Sequence, residues 1–322
     1  EAPVAAHLAQ RFDEFGAREV VLDEVLDGRP NVYGYFPGRT ERLVVLDVHT
    51  DTVTVEHMTD PPFDGRIAGG CVWGRGALDT KASMGVMLAL LDAWRRTGRR
   101  PDPTLLLVGS VGEEAGGLLG ATRFRPWADD HGLDVDQMIV AEPTEMAPIH
   151  GHKGATVVRV TVHGEAAHSA LPHLGKNAIE AIAPVIEAYR REHERLQSVP
   201  PATELGTSTV SVTRIDGGTG GNVIPAECSL LVTQRLVPGQ DPNDAFDRLA
   251  EIATEVCPLP VTCAPPVPRP DGEVGAAAFY QPADTRLARD LADWAGTAPT
   301  VAPFGTNALR YVGLARELVV FG

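Results

Sequence analysis

Six side chains in the first half of the chain have types and positions that could do chemistry together. They are His49 and Asp51 in "VVLDVHTDTV", Asp79 in "WGRGALDTK", Glu113 with Glu114 in "LLLVGSVGEE", and Glu142 in "MIVAEPT". Taken singly, each has an ordinary alternative as a loop histidine, a helix-capping aspartate or a solvated glutamate. What they share is position, because three of the four stretches run apolar and then break within a few residues into histidine or acid. If those runs are strands whose carboxyl ends share one edge of a sheet, five carboxylates and an imidazole meet there. Like charges in a partly buried cleft raise one another's pKa and cost stability unless a cation compensates. Histidine and carboxylate donors without cysteine suit zinc, manganese or cobalt, and the number of carboxylates predicts two ions bridged by one of them. Two ions roughly 3.5 to 4 Å apart acidify water and polarise a carbonyl, which is the equipment for hydrolysis, and a carboxylate left free of metal can act as general base.

The elements that must position these groups are legible in outline. Residues 43 to 48 read as a buried strand, preceded by a helix around residues 3 to 16 and a strand near 18 to 26. "DTKASMGVMLALLDAWRRTG" places Met84, Met87, Leu88, Leu91 and Trp94 at helical spacing and ends on Gly98. Strands alternating with helices at this interval predict an α/β fold with a parallel or mixed sheet covered on both faces. From residue 151 the pattern changes: "GATVVRVTVHG" alternates apolar and polar residues, and two helices and two further strands follow it. "CAPPVPRP" reads as a return crossing, residues 282 to 295 as a helix and "RELVVFG" as a last buried strand. The expected arrangement is a discontinuous main domain of residues 1 to 150 and 268 to 322, with residues 151 to 267 inserted as an α+β domain.

Composition limits the possible roles. The 322 residues are 43% hydrophobic and 22% charged, the profile of a globular protein large enough for two domains. A net charge of -15 disfavours nucleic acid and anionic membranes as partners. Cys71, Cys228, Cys257 and Cys263 form no CxxC pair, so free thiols in a reducing, cytoplasmic compartment are expected. No apolar run of eighteen residues is present that would span a membrane.

Seven stretches carry a resemblance: "VVLDVHTDTV", "VWGRGALDTKASM", "VGEEAGG", "VAEPT", "GEAAHSALPHLGKNAIE", "GGTGGNVIPAEC" and "FGTNA". In their order and over nearly the whole chain they resemble the zinc-dependent deacylase and peptidase family of acetylornithine deacetylase, succinyl-diaminopimelate desuccinylase, aminoacylase and carboxypeptidase G. The resemblance implies a mixed-sheet zinc-hydrolase domain with an inserted dimerisation (lid) domain, and two divalent ions per subunit, zinc first, with cobalt or manganese as alternatives. His49 and Glu142 then belong to one ion, Asp79 bridges, Glu114 belongs to the second, Glu113 is the general base and Asp51 orients His49. His168 is similar to a histidine that crosses to the partner subunit's substrate and stabilises its oxyanion. Asn222, Arg235, Gly305, Thr306 and Asn307 match substrate-binding positions, with Arg235 suited to a carboxylate. The family also supplies a histidine ligand after the strand matching "ELVVFG", and that ligand is expected in chain beyond Gly322. The implied activity is removal of an acyl group, acetyl first, from an N-acyl amino acid such as N-acetylornithine. A dipeptidase or carboxypeptidase is the alternative, and a non-catalytic ligand-binding homologue is the rival from a different class. The partners implied are a small N-acyl amino acid or dipeptide and a second copy of the chain.

Overall fold

Helix α1 (Ala2–Glu14) buries Ala5, Leu8 and Phe12 along one stripe, the three-and-four spacing of an amphipathic helix. The computed structural model in which it is seen describes residues 1–114, 117–267 and 272–322. Two antiparallel strands follow, β1 (Glu19–Leu26) and β2 (Arg29–Phe36), and then β3 (Leu43–His49). A short ribbon of β4 (Ile67–Ala68) and β5 (Cys71–Val72) precedes α2 (Lys81–Thr97). That helix stops at Gly98, whose φ of 64° is left-handed and carries no Cβ penalty in glycine. Next come β6 (Thr104–Ser110), α3 (Leu119–Asp130), β7 (Val135–Val140) and β8 (Ile149–His152).

These strands and the last one, Ala315–Val320, form a mixed sheet in the order β1, β2, β6, β3, β7, last strand, β8. Strand β3 runs parallel to β6 and β7, and the last strand runs parallel to β7, so four carboxyl ends share one edge. Register sets those ends level, with His49 opposite Ser110 and Asp47 opposite Val140. Val44, Val48, Leu105 and Leu107 pack against Leu8, Phe12, Met84 and Leu91 of α1 and α2. On the opposite face Tyr33 meets Phe124 of α3 at 5.3 Å between ring centroids, and Phe124 meets Tyr311 at 5.8 Å. All of β6 is buried, each large aliphatic side chain contributing roughly 1.5–3 kcal/mol. This is why the strand ends cannot wander.

Strand β2 is absent from the sequence reading, and its composition explains why. Pro30, Asn31 and Gly34 are poor strand formers. Yet the Asn31 amide donates to Gly120 O and Tyr33 Oη, both at 2.9 Å, and its oxygen accepts the Val111 N–H at 3.1 Å. Gly34 lies where a Cβ would run into the Phe12 ring. Tertiary contacts therefore override local propensity over these eight residues.

The chain forms two compact units, one of Glu1–Gly151, Gln281–Val301 and Thr306–Gly322, the other of His152–Tyr280 with Ala302–Gly305. The boundary expected at residue 268 and the tail of "CAPPVPRP" lie outside the described residues. The second unit is an antiparallel sheet of β9 (Gly154–His163), β11 (Thr209–Gly217), β13 (Glu227–Leu236) and β14 (Val261–Ala264), in the order β11, β13, β9, β14. Burial alternates along β9 and β13, and the inward residues Val158, Val160, Val162, Leu230 and Val232 meet Ile182, Tyr189, Leu249 and Ile252. Those partners stand on α4 (Ala178–Gln197) and α5 (Pro242–Val256). Asn177 and Asp241 cap these two helices, each side chain accepting two backbone N–H groups. A two-strand ribbon, β10 (Ala167–His168) with β12 (Val223–Ile224), stands beside them. All four cysteines are free, Cys228 buried and Cys71 exposed. No described helix is long and apolar enough to cross a membrane.

Candidate metal centre

The fold brings His49, Asp79 and Glu114 together and sets Glu142 beside His49. His49, 2% exposed, closes β3; Asp79 stands in the turn before α2, Glu113 and Glu114 in the loop after β6, and Glu142 two residues past β7. His49 Nε2 lies 2.9 Å from Asp79 Oδ1 and 3.9 Å from Glu142 Oε2. One ligand atom each from His49, Asp79 and Glu114 lie within 4.8 Å of one another.

Asp51 organises this cluster twice over. His49 Nδ1 is 3.1 Å from the Asp51 backbone oxygen and 3.6 Å from its carboxylate. The same carboxylate accepts the backbone N–H of Glu113 at 3.1 Å and of Glu114 at 3.0 Å. It therefore pins the loop that carries both glutamates as well as facing the imidazole. Three supporting residues escaped the sequence reading. Thr80 Oγ1 donates to the His49 carbonyl at 3.0 Å, Thr50 Oγ1 donates to Ser110 O at 3.0 Å, and Lys81 Nζ donates to Thr50 O at 3.3 Å. Their only signal was adjacency, a hydroxyl or amine next to a ligand in "HTD" and "DTK".

The electrostatics record the crowding. Burial pushes the Glu142 carboxyl up to about 9, with Glu113 and Asp79 adding to the rise against the pull of His49. Burial likewise lifts Glu113 to about 7, opposed by His49 and reinforced by Glu114, Asp51 and Asp79. Glu114 rises by burial and by Asp79. Burial opposes charge on His49, but hydrogen bonds to Asp51 and Asp79 and the field of Glu142 and Glu113 outweigh it and raise the imidazole to about 11. Asp51 is the exception: burial pushes it up, yet the bonds from His49 and the Glu113 amide hold it below the ordinary carboxylate value. A cluster that gathers protons in this way fits a divalent cation, which replaces them with a compact positive charge. Its donors, one imidazole and carboxylates without thiolate, fit a metal such as zinc, cobalt or manganese.

Asn307 turns its side chain inward. It is 1% exposed, and its amide donates to Asp47 Oδ2 and Ser110 Oγ, each at 2.9 Å. Its side chain serves the interior, and burial raises Asp47 to about 6 against the bonds from Ser110 and Asn307. Thr306 is equally buried and accepts the Ala308 N–H at 3.1 Å, while Gly305 is half-buried. The second unit holds the other anticipated residues. His168 stands opposite Val223 on the exposed ribbon, and the Ser169 N–H donates to Asn222 O at 2.9 Å, which sets His168 and Asn222 on one surface. Arg235 is half-buried on β13, its guanidinium making no hydrogen bond or ion pair to a described residue.

A family model for the M20 peptidase dimerisation domain matches residues 150–259, and one for peptidase family M28 matches residues 31–185. An acetylornithine deacetylase of Myxococcus xanthus is 34% identical over 325 residues, an alignment that covers 97% of this chain and 78% of that protein. The chain belongs to the M20 peptidase family. A probable carboxypeptidase of Ajellomyces capsulatus is 32% identical over 250 residues, covering 73% of this chain and 54% of that protein. The chain thus spans about half the length of such fungal M20 relatives. An M20 metallo-carboxypeptidase from Sulfolobus solfataricus has the same fold, with a TM-score of 0.75 at 16% identity over 98% of this chain and 85% of that one.

Proposed function

We propose that this M20 protein is a metal-dependent hydrolase that cleaves an amide bond next to a free carboxylate. The observation that carries the reading is the convergence of His49, Asp79, Glu114 and Glu142, with Glu113 held beside them by Asp51. In this reading His49, Asp79, Glu114 and Glu142 would hold the divalent metal. Bound cations supply Lewis acidity, polarising the amide carbonyl and making water easier to deprotonate. Glu113 removes the proton of the attacking water and returns it to the leaving amine, a task suited to a carboxylate held beside the cluster and not counted among its ligands. Arg235 pairs with the substrate carboxylate, and Asn222, Gly305 and Thr306 serve as further substrate contacts. His168 stabilises the developing oxyanion. The second unit serves as the dimerisation domain of a homodimer, which the match to residues 150–259 and the exposed Leu171, Leu174, Ile179 and Val223 support.

Deacylation of an N-acyl amino acid, acetyl first, is the leading specificity, supported by the Myxococcus relative whose similarity runs over nearly the whole chain. A carboxypeptidase or dipeptidase activity is the second reading, supported by the fungal relatives and by the Sulfolobus structure. Zinc-loaded full-length protein is to be given N-acetyl amino acids, N-succinyl amino acids and dipeptides in parallel. Turnover of the first group above the others supports deacylation, turnover of dipeptides moves the assignment to a peptidase, and bound metal without turnover of any amide overturns the enzyme reading.

A further inference from the structure

The first unit carries a second feature at the opposite edge of its sheet. A cavity of about 380 Å³ opens where β2 ends at Phe36 and where residues 98 to 101 lead toward β6. Phe36 pairs with Leu105 near the amino end of β6, whereas His49 pairs with Ser110 at its carboxyl end. Helix α2, 17 residues and so about 25 Å long, begins beside Asp79 and ends at the cavity. The two features are therefore separated by the depth of the sheet.

Phe15 and Trp94 provide an apolar wall, and Arg18, Arg95, Arg99 and Arg100 stand around it; no carboxylate lines the space. Arg95 bonds Asp92 at 2.9 Å and lies 5.9 Å over the Phe15 ring. The guanidinium groups of Arg18, Arg99 and Arg100 make no hydrogen bond or ion pair to a described residue. The chain carries 43 acidic against 28 basic residues and pairs Arg11, Arg29, Arg66, Arg123, Arg190 and Arg316 with carboxylates, whereas here three guanidinium groups without such partners share one cavity. The partial negative charge at the end of α2 amounts to about half an electron, too little to balance the arginines gathered there.

We propose that this cavity binds a small organic phosphate bearing a flat ring, a mononucleotide by chemical class. Guanidinium forks pair with phosphate through parallel N–H···O bonds, and a terminal phosphate offers three oxygens to several arginines where a carboxylate offers two. The apolar wall suits the face of a planar ring, with the guanidinium groups able to stack on it as well. The volume lies at the lower end of the usual range for small-ligand pockets, about 300 to 1,000 Å³, enough for one nucleotide and too small for two.

The test is calorimetric titration of zinc-loaded full-length protein with adenosine 5′-monophosphate, and separately with adenosine and with inorganic phosphate. The nucleotide is expected to bind at least tenfold more tightly than either half. Arg99→Ala with Arg100→Ala should weaken it tenfold or more while leaving the melting temperature and the hydrolysis rate unchanged. Arg18→Gln, a milder change in a different segment, should weaken it as well. No binding at millimolar nucleotide, phosphate binding as tightly as the nucleotide, or affinity untouched by all of these variants overturns the proposal.

Discussion

The two edges of the first unit's sheet carry opposite charge on one scaffold, and they are assembled differently. At the carboxyl edge the donors come from β3, the turn before α2, the loop after β6 and the end of β7, four segments far apart in sequence. At the other edge three of the four arginines lie within six residues at the end of one helix. The acidic edge is set by parallel pairing, which delivers separate strand ends to one line, and by the bonds from two backbone amides to Asp51 that fix the loop of Glu113 and Glu114. The basic edge needs no such convergence, because a helix end displays its last turn and the residues after it together. The first arrangement can hold a compact cation within a narrow geometry, whereas the second presents a broad field.

Four experiments test that contrast. The largest effect is expected from Glu113→Gln, which should lower kcat by about 10²–10⁴-fold while metal content stays the same; a loss of metal in step with the rate would make Glu113 a ligand instead. Next is the pH dependence of the chelated protein. Without metal, Glu142 keeps its proton to about pH 9 and Glu113 to about 7, against the ordinary 4.5, and His49 keeps its own to about 11 against 6.5. Between pH 6 and 9 the folded chain thus binds more protons than the unfolded one, so its stability falls as pH rises, by about 1.4 kcal/mol per pH unit for each proton retained. The melting temperature in chelator should drop across that window and flatten once zinc is added; a rise with pH would contradict the crowding at this edge. Third, Asp51→Ala should weaken metal affinity by about 10–100-fold, as read by competition with a chelating dye, and should leave the arginine edge unaffected. The smallest effect is that of Asn307→Ala, expected to cost about 1–3 kcal/mol in denaturant unfolding by removing one of the donors to the buried Asp47 carboxylate, with KM unchanged. A raised KM at unchanged stability would return Asn307 to the substrate surface.

The strand-end chemistry was readable in the sequence because burial and function alternate abruptly there. A run such as "LVVLDVH" must be inside, and whatever follows it must emerge at an edge. Strand β2 was not readable, since Pro30, Asn31 and Gly34 owe their places to Gly120, Val111 and Phe12, partners that no local pattern announces. The direction of Asn307 was hidden for a related reason. "FGTNA" looks like an exposed turn, and only the fold reveals that a buried carboxylate waits beneath it. The arginine cavity was invisible too, because Arg18 joins the group at residues 95 to 100 only through the packing of α1 and α2 on the sheet.

One consequence follows from the carboxylate that receives two consecutive main-chain amides while facing an imidazole. Glu113 and Glu114 cannot drift independently, since both are tethered to an anchor that also faces His49. The main chain at these two residues therefore follows Asp51 as one. Sequence change in the neighbourhood is constrained likewise: an alteration that shifts the anchor retunes both glutamates at once, so neither can be adjusted alone through that contact.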